Sequence, residues 1–381
     1  MKAQWVNQVS STTQWLQGVF FVNDNLGFAV GINGTIVKTI NGGTNWIPQT
    51  SGTIQGLSSV FFTDANTGYI TGSNGTILKT TNGGTTWSPQ TSGTTHGLWS
   101  PFFTSTSTGY AVSTGAEILK TTNGGTTWTS QTIATVSGLR WIYFANSTIG
   151  YAVGNSGAIL KTIDGGTTWI AQTSGLSTGS FGSVFFTDAN NGYIAAYGNI
   201  LKTTDGGTNW NIIPISTTGG IISIFFTDAN TGFGVGADMN DVGQIYKTTD
   251  AGANWFLQSI PVTLDLLSVY FGDFNTGYTV SKAGEILKTV NGGGMGIDET
   301  HINNEFTISP NPLTTQTTII FSEEQKNSTI YIRDVLGKEI KKEIFSGKQF
   351  ILQKGDLNNG IYFVEIINEN KNSINKKIVV Q

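Results

Sequence analysis

The chain contains no cysteine among its 381 residues, which excludes disulfide stapling and thiolate chemistry. That absence suits export without oxidative folding as well as it suits a reducing compartment. Histidine occurs only at His96 and His301, so histidine-rich zinc clusters and histidine-based triads are ruled out, and no cofactor or metal is expected. Arginine is equally scarce, at Arg140 and Arg333. A sialidase needs three arginines to clamp a carboxylate, and they are not here. Charged residues make up 12% of the chain and the net charge is −4, which argues against nucleic acid or an anionic membrane as the main partner. No run of eighteen apolar residues exists, so no transmembrane segment is expected.

Glycine, by contrast, is abundant, with 50 residues, and much of it falls in a box written N/D-G-G-T-x-W that recurs about every 41 residues. Six copies place their tryptophans at Trp46, Trp87, Trp128, Trp169, Trp210 and Trp255. The seventh, Asn291-Gly292-Gly293-Gly294, stops without one. Trp5, followed by Val6-Asn7-Gln8, matches what normally follows a box, so the N-terminus is expected to complete the last unit and close a ring. A typical unit reads Leu57 to Phe62, an Asp64-Ala65-Asn66-Thr67-Gly68 turn, Tyr69 to Gly72, Asn74-Gly75, Thr76 to Thr80, then the box. Short apolar runs between Asn-Gly and Asp-x-x-x-Gly turns predict four strands, and paired apolar residues predict sheets covered on both faces. The inner-strand anchors Phe20, Phe61, Phe102, Tyr143, Phe185, Phe225 and Tyr270 also number seven. The expected fold is all-β: a seven-bladed β-propeller over residues 1–295, with the N-terminal strand closing the last blade.

Charge density changes near residue 295. Residues 1–295 hold 10 Lys/Arg and 13 Asp/Glu, and the remaining 86 residues hold 10 and 11. Residues 296–304 read as a linker and 305–381 as a separate, small antiparallel β-sandwich, with alternating strands such as Thr329-Ile330-Tyr331-Ile332 and Ile361 to Glu365.

Two resemblances follow from these motifs. The combination F-x-D-x-x-x-G-Y-x-x-G, G-T-I-L-K-T and D/N-G-G-T-T-W resembles the propeller family of photosystem II assembly factors and their bacterial relatives, and shares the Asp-box (BNR-type) hairpin of sialidases. It covers residues 1 to about 295 and implies the fold; such repeats serve many unrelated surface and assembly proteins. Photosystem-associated members carry an arginine patch, whereas this propeller has Arg140 alone, so the photosynthetic role is not carried over. The tail is similar to the type A C-terminal sorting domain of the type IX secretion system. Its motifs are Ser309-Pro310-Asn311-Pro312, Asp334-Val335-Leu336-Gly337-Lys338, Asn359-Gly360-Ile361-Tyr362 and Lys377-Ile378-Val379-Val380. That resemblance implies Pro310, Asn311, Pro312, Asp334, Gly337, Gly360 and Lys377 as sorting-signal residues and the type IX machinery as a partner. It further implies an extracellular or cell-surface location and a signal peptide that once preceded Met1.

Catalysis finds little support in the residues. Most propeller carboxylates occupy repeated turn or box positions, among them Asp24, Asp64, Asp164, Asp188 and Asp205. Glu117, Asp238, Asp241, Asp265 and Glu285 lie off the repeat, and nothing pairs them as a glycoside hydrolase requires. The Asp64-x-Asn66-x-Gly68 run lacks the distal glutamate of a calcium loop and reads as a side-chain-stabilised turn. A lysine recurs in every unit, at Lys38, Lys79, Lys120, Lys161, Lys202, Lys247 and Lys288, and is expected to lie over the neighbouring blade and bond its turn carbonyls. Interior packing stays open for each tryptophan outside the boxes.

Specific contacts are expected where units differ. Entering the inner strand, one position is filled in turn by Gln17, Ser58, Trp99, Arg140, Gly182, Ile222 and Leu267. Trp15, His96, Trp141 and Asp265 flank it. Propeller geometry puts these near the mouth of the central channel, so Trp15, His96, Trp99, Arg140, Trp141 and Asp265 are the candidate partner-binding residues. The expected function is a non-catalytic, exported propeller that binds a protein or glycan; the alternatives are a self-assembling surface-layer or filament subunit and a glycoside hydrolase.

Overall fold

The computed structural model describes residues 5–176, 179–215, 219–261, 264–293, 306–334, 339–367 and 373–380. Two compact units divide the chain, Met1–Gly296 and Ile297–Gln381. The expected linker, residues 296–304, and Gly337 lie outside the described residues. Every regular element among the described residues is a strand, and none is a helix long and apolar enough to cross a membrane.

The first unit holds seven four-stranded antiparallel sheets. Blade 2 shows the pattern, with strands Leu57–Phe62, Gly68–Gly72, Ile77–Thr80 and Ser88–Gln90 from the channel outward. In each blade the second strand is buried at every residue, because both of its faces meet neighbouring blades. Asn74 and Gly75, with φ of 52° and 67°, supply the left-handed pair that the tight turn requires. Asp64 Oδ1 accepts from the main-chain N of Asn66 and Thr67, at 2.8 and 2.9 Å, so the carboxylate is spent on its own turn. Gly68 has a packing reason, since a Cβ there would fall 2.6 Å from the Phe62 ring.

The blades are joined by a contact that repeats seven times. Phe62 stacks on Phe28 of the preceding blade at 4.6 Å, and the equivalent pairs run round to Phe21 on Tyr278 at 3.8 Å. The recurrent lysines do what their repetition predicts. Lys79 Nζ lies over the Tyr69 ring and donates to Gly124 O in the next blade's box, and the chain of such bonds ends with Lys288 donating to Gly42 O. Each box is held internally: Thr80 Oγ1 accepts from Gly84 N at 2.9 Å and donates to Asn82 Oδ1, which accepts from Thr86 N.

Closure occurs where the sequence places it. Val6–Gln8 pairs with the third strand of blade 7, Asn7 opposite Leu287, and supplies that sheet's outermost strand. Trp5 is fully buried among Phe233, Val235, Leu266 and Phe271. The inner strand of blade 1 packs on the second strand of blade 7, where Leu16 and Phe21 share a core with Tyr278 and Val280.

In the second unit five strands form one antiparallel sheet: Phe306–Ser309, Gln316–Arg333, Glu339–Gln353, Gly360–Ile367 and Ser373–Val380. Gln316–Arg333 pairs with Phe306–Ser309 through its first half and with Gly360–Ile367 through its second, its register breaking between Ile320 and Ser328. Residues of both halves, Ile319 and Phe321 with Ile330 and Ile332, lie in one core beside Val364 and Ile378. The sheet is thus folded over itself, which gives the sandwich.

Candidate functional site

The inner strands carry a β-bulge just below the channel mouth, and six of the seven blades share its site. In blades 1, 2, 4, 6 and 7 the register skips one residue, at Gln17, Ser58, Arg140, Ile222 and Leu267, and in blade 5 it shifts between Phe181 and Val184. A bulged residue leaves the ladder and turns its side chain out of the sheet. The position that varies most between units is thus freed from pairing in these blades, whereas Trp99 in blade 3 stays opposite Val112, and it faces a cavity of about 480 Å³ lined by Gln17, Trp99, Arg140, Gly182, Ile222 and Leu267. Trp15, Asp265, Tyr197, Ser180 and Lys282 complete the wall.

Two polar arrangements organise it. Arg140 is exposed; its Nε donates to Asn155 Oδ1 at 3.0 Å, which also accepts from Ser180 Oγ at 3.1 Å. That bond holds the guanidinium by one edge. Among the described residues Arg140 has no carboxylate partner, and its Nη groups remain open to a ligand. Asp265, only 6% exposed, is held by the Lys282 ammonium, which in turn lies 5.6 Å from the Trp15 ring centroid. The buried carboxylate is thereby neutralised and the indole face is partly covered. One cation is left over. Apolar surface shares the wall with it: Trp15 and Tyr197 are 45% and 65% exposed, and Ile222 and Leu267 line the same cavity.

The structure brings together Trp15, Trp99, Arg140 and Asp265 and leaves out two other candidates. His96 lies off the cavity wall, where its Nδ1 meets Glu117 Oε2 at 3.1 Å. Burial would raise the Glu117 carboxyl, but hydrogen bonds from Thr94, Ser113 and His96 prevail and hold it below its ordinary value. Glu117 thus fastens a loop. Trp141 is one residue past the bulge, so its side chain lines the channel below the mouth and packs against the blade 4–5 core. Six units carry Gly or Ser at that position, namely Gly18, Ser59, Ser100, Ser183, Ser223 and Ser268, and an indole is accommodated only as channel wall.

Sequence comparison missed Tyr197 and Lys282. Both follow the core of the second strand of their blade, at a position filled elsewhere by Ile32, Ser73, Thr114, Asn155 and Ala237. That position varies as freely as the bulge, and it supplies the partners of Arg140 and Asp265. A second internal comparison would have found it.

Of the residues implied as a sorting signal, Pro310, Asn311, Pro312, Gly360 and Lys377 lie at the other unit's terminal strand. Pro310, Asn311 and Pro312 form an exposed turn, and Asn311 Oδ1 accepts from Val379 N at 2.9 Å. Gly360 stands opposite Val380 and Lys377 opposite Phe363. Asp334 follows the strand Gln316–Arg333.

Comparison with known proteins agrees with both units. A family model described as photosynthesis system II assembly factor YCF48 matches residues 1–88, 53–129 and 133–259, and one described as a secretion system C-terminal sorting domain matches 307–381. No curated protein matches the sequence. Among solved structures, YCF48 from Cyanidioschyzon merolae is 18% identical with a TM-score of 0.63, covering 75% of this chain and 98% of its own. YCF48 bound to D1 peptide gives 20% and 0.64, with 76% and 98% covered. PorZ, an essential bacterial surface component of the type IX secretion system of Porphyromonas gingivalis, gives 11% and 0.60, with 98% and 60% covered. These likenesses carry the fold. The sorting domain implies secretion to the cell surface or the extracellular space. Its propeller repeats place the chain in the family of the photosynthesis system II assembly factor YCF48, and a type IX C-terminal sorting domain follows them in sequence.

Proposed function

We propose that this protein is an exported, non-catalytic propeller that binds a partner protein at the mouth of its channel. The observation that carries the reading is the convergence of Trp15, Trp99 and Arg140 on one cavity, with the arginine anchored by its Nε and open at its other nitrogens. Aromatic surface beside a single uncompensated guanidinium suits a polypeptide segment that carries an acidic group. A structural neighbour in the same family was solved with a peptide bound, which favours a polypeptide over a glycan. Catalysis is disfavoured because the one carboxylate in the wall, Asp265, is committed to Lys282.

The test compares the native protein with a Trp15→Ala/Trp99→Ala/Arg140→Gln variant for retention of cell-envelope proteins and, separately, envelope glycans. Loss of protein retention at an unchanged melting temperature is the expected result; undiminished retention would overturn the reading, and loss of glycan retention alone would transfer the site to a sugar.

Self-assembly is the second reading. Ile47, Ile170, Phe256 and Leu257 on outermost strands are each more than half exposed. Light scattering of the native material separates a filament from a monomer.

A further inference from the structure

The four motifs of the tail are spread over some 70 residues of sequence, yet three of them meet at one place. The terminal strand Ser373–Val380 is the last in its sheet, bonded on one side to Gly360–Ile367. Its other side is an open edge, and such an edge frays unless something covers it. Cover comes from the Pro310–Pro312 turn. Asn311 Oδ1 accepts from Val379 N at 2.9 Å, and Leu313 N donates to Val379 O at 2.7 Å. A side-chain amide and a main-chain amide two residues apart thus replace the two rungs that a further strand would supply. Leu313 and Val380 are both buried in the core beneath, so the rungs close over an apolar anchor, and Thr317 Oγ1 ties the turn down by donating to Pro310 O at 2.6 Å. The turn itself buries nothing: Pro310, Asn311 and Pro312 are all exposed.

We infer that Asn311 is a latch for the C-terminal strand, and that the export machinery reads the Pro310–Pro312 turn and the latched strand end as one folded surface. Asn311 is here a positioning residue: it holds Val379 and Val380 in a fixed place beside two exposed prolines. An unlatched strand would present the same amino acids without that arrangement. The inference rests on the tail being the sorting signal.

The full-length chain, expressed in a host with a type IX system, tests it. Asn311→Ala removes the acceptor, and the Val379 amide should exchange with solvent about fivefold faster, the usual effect of losing one hydrogen bond. The exported fraction should fall in step, while amides of Gln316–Arg333 and Glu339–Gln353 keep their protection. Asn311→Asp retains an acceptor oxygen and should restore both. Val379→Pro deletes the same bond from the donor side, at a strand edge where proline is tolerated, and should reduce export equally. Wild-type export of either Asn311→Ala or Val379→Pro, or an unchanged Val379 exchange rate in Asn311→Ala, would overturn the latch. Export of a chain lacking 307–381 would instead overturn the sorting reading beneath it.

Discussion

Trp5 meets Phe271 edge to face, with ring centroids 5.9 Å apart and planes at 87°, and so repeats in blade 7 the contact that Trp46 makes with Phe21 in blade 1 at 5.8 Å and 88°. One indole comes from the start of the propeller and its partner from near the end. The ring is closed by a residue as deeply buried as any in the core.

Removing that indole should open the seventh blade. Trp5→Ala deletes a fully buried aromatic and is expected to cost about 3–5 kcal/mol. Deleting residues 1–10 should cost more, because the outermost strand goes with it. Thermal unfolding checks both, and an unchanged melting temperature would contradict closure by the N-terminus.

Lys282 and Asp265 form a largely buried pair, so the single and the double substitution should differ. Lys282→Met strands a carboxylate that is almost wholly buried, and is expected to lower stability by about 2 kcal/mol. Adding Asp265→Asn removes the stranded charge and should recover most of the loss. Equal destabilisation in single and double variants, measured by denaturant titration, would mean the pair is not coupled.

Lys247 is the most buried of the seven recurrent lysines, and burial depresses its ammonium pKa. It donates to Gly292 O at 2.7 Å, across the blade 6–7 boundary. Lys247→Met keeps the stem and loses the bond, with an expected cost of about 1.5–3 kcal/mol. A loss below 0.5 kcal/mol would show that the stem alone joins the blades.

Acid should act on some boxes and not on others. In blades 4 and 5 the box begins with Asp164 and Asp205, whose carboxyls are lowered to about 2, chiefly by the main-chain N–H and the side chain of Thr168 and of Asn209. A folded-state value below the unfolded one contributes stability above the unfolded pKa, and the contribution is lost as pH falls from about 4 through about 2. The boxes that begin with Asn41, Asn82 and Asn123 have no such group. Amide exchange followed from pH 5 to pH 2 should show protection falling at Thr168 and Asn209 but not at Thr86 or Thr127, and Asp164→Asn should abolish the fall at Thr168.

The scaffold was legible because each blade repeats the same requirements: a glycine under a phenylalanine, a left-handed turn, a tryptophan beneath a box. Seven statements of one rule leave little ambiguity, and the tryptophan missing from the seventh box even fixes where the ends meet. The site was legible in part. Arg140 reaches the cavity because the bulge frees it from the ladder, whereas Trp99 still pairs with Val112 and Trp15 and Asp265 each stand one residue before an inner strand. Trp141 misled because one residue along a strand reverses the direction of the side chain, and the sequence does not mark which residue bulges. Tyr197 and Lys282 escaped notice because they come from a different turn, which only the folded blade brings to the same rim.

Seven equal wedges would offer a bound segment seven equivalent angular settings. Gly182 removes that degeneracy on one side, since a Cβ there would fall 2.0 Å from Ile222 O and the fifth wedge accordingly offers no side chain. Arg140, on the adjoining wedge, is the one charged group of the cavity wall without an ion-pair partner among the described residues. A near-symmetric ring thus acquires a compass bearing, and whatever enters it has one way to face.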